Sequence, residues 1–269
     1  MGKSEKIAQK ACYKEKRIGF FEPFVIDIND KITIFYADDF TPMLNNTLNS
    51  NRTYKYKIQN IYSQTFNFSN YKWSNERKLI MDGSLKKSPT NSGLCKRISR
   101  DGMPVLTKMK DGTYVLVFEG TYRDRNYHLL TGKYLGYHKW FEILLSYSKD
   151  GLTWSNPVEI YISKSNGTKS SAPFIVTNEI NQLIVSFQTD EDSYDLGYKG
   201  DNYSIMKVMI SKPGIKIENI NKDSFYDITN CNETPIGGSS IWNGLMLIGD
   251  ILYTCSSDNF IKYSKLLVF

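Results

Sequence analysis

Histidine is almost missing from this chain of 269 residues, which has only His128 and His138. A multi-histidine metal centre or a histidine proton relay has too little material to build from. Cysteine is equally sparse: Cys12, Cys95, Cys231 and Cys255 form no C-x-x-C pair, which excludes a disulfide scaffold and a cysteine-based zinc site. No run approaches the roughly 20 apolar residues that span a bilayer. The opening MGKSEKIAQKACYKEKRIG lacks the apolar core of a secretory signal, so neither an anchor nor an export signal is expected. Charge of one sign is not concentrated either. The formal net charge is +6, but the lysines are scattered and sit near Asp or Glu, which reads as a solvated surface and not as a stripe for nucleic acid. Chemistry is left to carboxylates, Tyr, Arg or Ser, with no cofactor and no metal expected.

What the chain has in abundance is strand vocabulary. Aromatics make up 14% of it, including 19 Tyr, and β-branched residues crowd into short runs separated by Asn, Asp, Gly and Ser. Helical periodicity is poor after the basic first 18 residues, which read as a short helix or a loose segment. The chain is therefore expected to be all-β, with a basic N-terminal segment over 1–19 and a single domain over 20–269.

The runs come in similar pairs. EPFVID turns at Asn29-Asp30 into KITIFYADD, GMPVLTKM turns at Lys110-Asp111-Gly112 into TYVLVFEGT, APFIVTNEINQLIVSFQTDED follows from Ala172, and IWNGLMLIGDILYTCSSD from Ile241. In the first three a Pro opens the first strand, and Phe35, Phe118 or Phe187 stands near the end of the second. Further strands, FEILLSYS and YSIMKVMIS, follow the second and third copies, so each repeat supplies about four strands. Small antiparallel sheets that cannot bury both faces alone gain by packing against neighbours, which is the logic of a β-propeller. A β-sandwich of similar composition is the rival, but it leaves the recurrence of Pro and Phe in register unexplained. Four repeats are countable, the last of them short at Phe269, and the first residues could supply its missing strand.

The sharpest local motif is SYSKDGLTW, in which Ser148, Asp150, Gly151 and Trp154 form S-x-D-G-x-x-W. Asp and Gly suit a tight turn with positive φ, Ser can bond across it, and Trp packs beneath. The motif resembles the Asp-box of sialidase-type propellers, a structural staple with no bearing on catalysis. A weaker copy, SQTFNFSNYKW, has Asn67 and Ser69 in the turn and ends at Trp73.

RISRDGMPVLTKMKDGTYVLVFEG, followed by VSFQTDED, resembles the exo-arabinanases of glycoside hydrolase family 93 and their bacterial relatives. Those proteins carry S-R-x-G-M-P, V-F-E and S-F-x-T-D-E-D in this order. The likeness is dense from Glu22 to Asp192 and thinner beyond, where GGSSIWNGL again matches. It implies a sialidase-like β-propeller of four-stranded antiparallel blades, four to six in number, the family's usual six exceeding the repeats visible here. It also implies an exo-acting glycosidase that cleaves a neutral oligosaccharide such as arabinan by a retaining course; a monomer is expected. Family members that digest polymers are exported. The positions matching the family's two catalytic glutamates are Glu119 in VFEG and Glu191 in TDED.

The residues themselves are compatible with that role. Glu119 ends an otherwise apolar strand, where a charge invites a reason, and hydrolysis needs one protonated and one ionised carboxyl group. The structural alternative is an ion pair of Glu119 with Arg100 or Arg123 and an acidic loop at TDED. Which glutamate is the nucleophile is left open. Tyr36, Asp38 and Asp39 occupy the strand end in the first copy that Glu119 occupies in the second. Arg100 and Asp101 open the strand before Glu119, and Trp242 and Asn243 open the fourth pair. Tyr36, Asp38, Arg100, Asp101 and Trp242 are thus candidates for holding sugar hydroxyls and a sugar face. Sialidases fix a carboxylate with three arginines, and with no Arg beyond Arg125 such a triad drawn from successive blades is hard to assemble. The rival function is a non-catalytic carbohydrate-binding propeller or an inactive shortened homologue.

Overall fold

The computed structural model describes residues 20–38, 59–82, 86–87, 95–97, 101–120, 126–128, 133–134, 141–163, 168–191, 204–228, 244–249, 251–255 and 261–265. The expected N-terminal segment, 1–19, lies outside them. The described residues form five antiparallel sheets, and the chain divides into two compact units.

The first unit comprises residues 1–104 and 121–137. Its first sheet contains β1 (Phe20–Ile28), β2 (Lys31–Asp38), β3 (Asn60–Asn67), β4 (Lys72–Trp73) and β5 (Lys78–Met81), in the order β1-β2-β3-β4 with β5 also on β3. Asn29 and Asp30 both have positive φ, 52° and 62°, the two-residue geometry that matches the twist of a hairpin. Its second sheet was not legible as a repeat: it runs β11 (Lys133–Tyr134), β10 (Asn126–His128), β7 (Cys95–Arg97), β6 (Lys86–Lys87), so two separate parts of the chain meet at the β7–β10 pairing. These strands are two or three residues long and carry no alternating apolar pattern.

The second unit comprises residues 105–120 and 138–269. One sheet runs β8 (Gly102–Lys108), β9 (Tyr114–Gly120), β12 (Glu142–Ser148), β13 (Val158–Tyr161), with the first residues of β8 falling in the first unit. The next runs β14 (Ser170–Thr177), β15 (Leu183–Thr189), β16 (Ile205–Ser211), β17 (Phe225–Asp227), and the last runs β18 (Gly244–Ile248), β19 (Ile251–Cys255), β20 (Ile261–Lys265). Each begins with the strand pair read from the sequence.

Every residue of β9 and of β15 is buried. A strand covered on both faces reads as a near-continuous apolar run, as YVLVF and LIVSF do, and needs a sheet against each face. Within this unit β14 packs against β9, β12 and β18. Ile184, Val208, Ile210, Leu245 and Leu252 form the core between the last two sheets. Phe118 and Phe187, at most 1% exposed, each contribute roughly 2–3 kcal/mol by burial.

The turn after β12 closes as its residues dictate. Asp150 Oδ1 accepts the Leu152 and Thr153 N–H groups at 2.7 and 2.6 Å and the Ser148 hydroxyl at 2.9 Å, while Ser148 Oγ accepts the Gly151 N–H at 2.8 Å. Gly151 supplies the positive φ, 71°. The weaker copy closes on Asn67 Oδ1, which accepts the Ser69 N–H at 2.9 Å. A shared clasp follows both turns. Ser155 donates its N–H to the Tyr147 carbonyl and accepts the Tyr147 N–H on Oγ, and Ser74 does the same with Thr65.

Candidate functional site

Proline opens the first strand of three sheets, and each time the preceding residue has positive φ: Glu22 at 56°, Met103 at 51° and Ala172 at 51°. A side chain here is strained by roughly 1–2 kcal/mol, so the conformation needs support. In β1 and β14 it coincides with a bulge, between Phe21 and Phe24 and between Ser171 and Phe174. A bulge at this point re-aims the chain at the strand entrance. The support comes from glutamates. Glu22 Oε2 accepts the Met103 N–H at 2.7 Å in the first unit, and Glu119 Oε2 accepts the Ala172 N–H at 3.1 Å in the second.

Glu119 therefore faces from β9 onto β14. It is 4% exposed, and its cross-strand partner is Ile143 of β12. One position on, Gly120 pairs with Glu142, which is also buried. At the same end of the sheet β13 finishes at Tyr161, opposite Ile143.

The matching end of the next sheet is polar as well. Ser170 pairs with Thr189, and Ser171 with Gln188. Ser170 Oγ bonds the Ser163 and Thr189 hydroxyls, and Gln188 Nε2 donates to Ser171 Oγ at 3.0 Å. The Ser170 N–H donates to the Phe141 carbonyl at 2.8 Å, tying this end of β14 to the chain entering β12. Beyond Thr189, Asp190 Oδ1 accepts the Lys169 N–H at 2.7 Å, and Glu191 follows at 2% exposure.

Glu191 Oε1 accepts from both the Tyr161 hydroxyl and the Lys207 ammonium. Lys207 lies on β16 opposite Phe187, at 6% exposure, and its Nζ is 3.3 Å from the Tyr161 hydroxyl. The Tyr161 ring packs against Phe187 with centroids 4.3 Å apart. A buried lysine is costly unless paired, and here the pairing supplies its counter-ion.

In the first unit, Tyr36 and Asp38 converge on Arg77, which the sequence did not single out. Arg77 donates from Nε to the Tyr36 hydroxyl at 2.7 Å and from Nη2 to Asp38 Oδ2. Its guanidinium lies over the rings of Phe20, Tyr36 and Tyr62, 5.0, 5.5 and 4.4 Å from their centroids. Tyr36 in turn donates to Gln64 Oε1 at 2.9 Å. Burial raises the Tyr36 hydroxyl pKa above its usual value, with Arg77 opposing it. For Arg77 burial is the largest single effect and pulls its pKa down, but the hydrogen bonds and charges of Asp38 and Tyr36 together exceed it, so the net direction is up. Asp38 is fully buried, so in this state its carboxylate is committed to the protein. Asp101 is buried too, and its N–H donates to the Gln59 carbonyl at 3.0 Å.

Of the sequence candidates, Glu119 and Glu191 thus stand at the same end of adjacent sheets, joined through β14, and Tyr36 and Asp38 share one cluster in the other unit. Arg100, Trp242, Asp39, Asn243 and Arg123 lie outside the described residues. The residues that sequence reading missed are Glu142, Tyr161, Lys207 and Arg77. Glu142 carried a signal, since an acid opens the apolar strand EILLSYS much as Glu119 ends VLVFEG. Among the described residues no cluster of His, Cys, Asp or Glu is arranged to hold a metal ion, and no helix is long and apolar enough to cross a membrane.

No family model matches the sequence, and it matches none of the curated proteins. Solved structures do resemble it. Zg3597, a family 117 glycoside hydrolase of the marine bacterium Zobellia galactanivorans, superposes at TM-score 0.58 with 14% identity, over 96% of this chain and 70% of that one. The Hadza microbial sialidase Hz136 gives 0.57 and 13%, over 92% and 44%. The GH93 α-L-arabinofuranosidase of Fusarium graminearum, solved with arabinobiose, gives 0.50 and 16%, over 88% and 53%. The chain has the sialidase-like β-propeller fold, and three of its five described antiparallel sheets are four-stranded. It spans between 44% and 70% of the length of these three glycoside hydrolases.

Proposed function

We propose that this chain is a glycoside hydrolase of the sialidase superfamily, exo-acting on a neutral oligosaccharide such as arabinan, with Glu119 and Glu191 as its reacting pair and 20–269 as one propeller domain. The observation that carries the reading is the position of two buried glutamates, one at the end of β9 and one just beyond β15, on adjacent sheets with β14 between them. A fold shared with an arabinofuranosidase, a sialidase and a family 117 hydrolase supports it, as do the V-F-E and T-D-E-D segments.

In the retaining course, one carboxylate attacks the anomeric carbon as the glycosidic C–O bond breaks, and the other carboxyl group gives its proton to the leaving oxygen. Water then displaces the first carboxylate from the anomeric carbon and returns a proton to the second. The required separation of the pair is roughly 5 Å. Tyr36, Asp38, Arg100, Asp101 and Trp242 are proposed to contact the sugar, with Asp38 doing so only on leaving Arg77. No metal takes part.

The test is hydrolysis of a panel of aryl glycosides and of linear arabinan by wild type, Glu119→Gln and Glu191→Gln. Turnover by the wild type, reduced on the order of 10²-fold or more in both variants, is the expected result. Activity unchanged in both would remove the mechanism. Binding without turnover in all three would favour a carbohydrate-binding propeller.

A further inference from the structure

The turn between β3 and β4 presents aromatic rings to solvent: Tyr71 is 75% exposed and Phe68 53%. The hairpin is closed by the Phe66–Trp73 and Asn67–Lys72 pairs, so Phe68, Ser69, Asn70 and Tyr71 make its loop. Phe66 meets Phe68 and Trp73 edge-on, with centroids 5.1 and 5.3 Å apart, which fixes the Phe68 ring against the hairpin. Asn67 Oδ1 accepts the Ser69 N–H at 2.9 Å and Asn70 Oδ1 accepts the Lys72 N–H at 3.1 Å. Each amide oxygen thus closes the turn, and each amide NH2 keeps its donors. Lys72 is the one charged side chain in 66–73. The turn stands at the far end of β3 from Asn60, the partner of Asp38, so about 20 Å of strand separate it from that carboxylate.

Tyr71 holds the left-handed position of the loop, at φ 55°. Glycine is the usual occupant of such a position, as Gly151 is at 71° in the corresponding turn after β12, and a bulky side chain there is strained. The later turn has Lys149 five residues before its tryptophan, tied to Asp111 and Glu218, and Leu152 two residues before it. Counted in the same way, the earlier turn has Phe68 and Tyr71. It carries a ring where the other carries a structural tie, and it bears strain at its more exposed ring, as happens where a side chain is held out for contact.

We propose that Phe68 and Tyr71, with the Asn67 and Asn70 amides, form a surface site for a neutral polysaccharide chain, outside the set of residues proposed for hydrolysis. The apolar face of a sugar ring stacks on an exposed aromatic ring, and its hydroxyls accept from the amide NH2 groups. A lone ammonium offers a polyanion little to pair with. Two rings of roughly 150–250 Å² each fall well short of the roughly 800 Å² that a stable protein partner covers, but they match a few sugar units. The site needs no turnover, so it stands or falls independently of the glycosidase reading.

The experiment is native affinity electrophoresis of the full chain in gels holding linear arabinan, a neutral galactan or polygalacturonate, for wild type, Tyr71→Gly, Tyr71→Trp and Phe68→Ala. Wild type should be retarded in at least one of the two neutral gels. Its apparent affinity there should fall roughly fivefold or more in Tyr71→Gly and in Phe68→Ala and be kept in Tyr71→Trp, which retains a ring. Tyr71→Gly relieves the left-handed position and should hold or raise the thermal midpoint, so that loss of binding in it is not loss of folding. Its kcat/KM on 4-nitrophenyl α-L-arabinofuranoside should equal that of wild type. Wild type that migrates freely in both neutral gels, retardation undiminished in Tyr71→Gly and Phe68→Ala, or retardation by polygalacturonate alone overturns the site. An equal loss on the small glycoside would place these residues in the hydrolytic cleft and overturn it too. If wild type hydrolyses no glycoside yet Tyr71→Gly loses polysaccharide binding, the glycosidase reading falls and the surface site stands.

Discussion

Glu119 holds the backbone N–H of Ala172, the residue of β14 that stands at positive φ directly before Pro173. One carboxyl group thus supports the entrance of the neighbouring sheet and is also one of the proposed reacting pair. The two roles separate by substitution. Glu119→Gln keeps an acceptor oxygen and should leave the thermal midpoint nearly unchanged while abolishing turnover. Glu119→Ala leaves the Ala172 N–H without this partner and should cost about 1–3 kcal/mol in denaturant unfolding.

The same entrance in β8 has no room for a side chain. A Cβ on Gly102 would lie 2.7 Å from Gln59 Oε1 and 3.3 Å from Glu22 Oε2, the oxygen that bonds the Met103 N–H. Gly102→Ala should therefore destabilise by roughly 1–3 kcal/mol, as overpacked sites do, read as a lowered urea midpoint with an unchanged slope. Ala172→Gly should do the reverse and raise the thermal midpoint, because it relieves a left-handed alanine.

Asp150 links the turn after β12 to pH. Backbone N–H groups of Thr153 and Leu152 lower its pKa to about 2. A carboxyl group depressed on folding stabilises the native state above its unfolded value, near 4, and that contribution is lost as pH falls from about 4 towards 2. Asp150→Ala should accordingly destabilise at pH 7 and narrow the gap from wild type over that window, as followed by thermal unfolding at a series of pH values. The carboxylate is exposed, so the effect is small.

Arg77 and Asp38 form an ion pair whose acid is fully buried. Arg77→Met takes this cation from a buried carboxylate and should cost about 1–3 kcal/mol. Arg77→Lys should recover only part of this, because a point charge cannot lie flat over Phe20 and Tyr62 while reaching both Tyr36 and Asp38. Chemical denaturation of the two variants beside wild type measures both effects.

The parts of this fold legible in the sequence are those written locally. The strand pairs show as apolar runs around short turns, and S-x-D-G-x-x-W carries its turn within a few residues. The recurrence of Pro near the start of the first strand, with a buried Phe in the next, marked the repeated sheets. Lys207, Tyr161 and Arg77 were not legible, since their partners stand 16, 30 and 39 positions away and a lone charge or phenol in a strand has no periodic signature. The second sheet was missed for a related reason: its strands are too short to alternate, and they come from two separate parts of the chain.

The central claim is that Glu119 and Glu191 are the reacting pair, and it is met most directly by trapping. A 2-deoxy-2-fluoro arabinofuranosyl donor with a good leaving group should slow release of the covalent intermediate, so that digestion and peptide mass mapping find one added glycosyl unit on the peptide containing Glu119 or on that containing Glu191. The adduct should vanish when the labelled glutamate is replaced by Gln. A label on any other residue, or wild-type turnover with the adduct absent and both Gln variants fully active, would contradict the account.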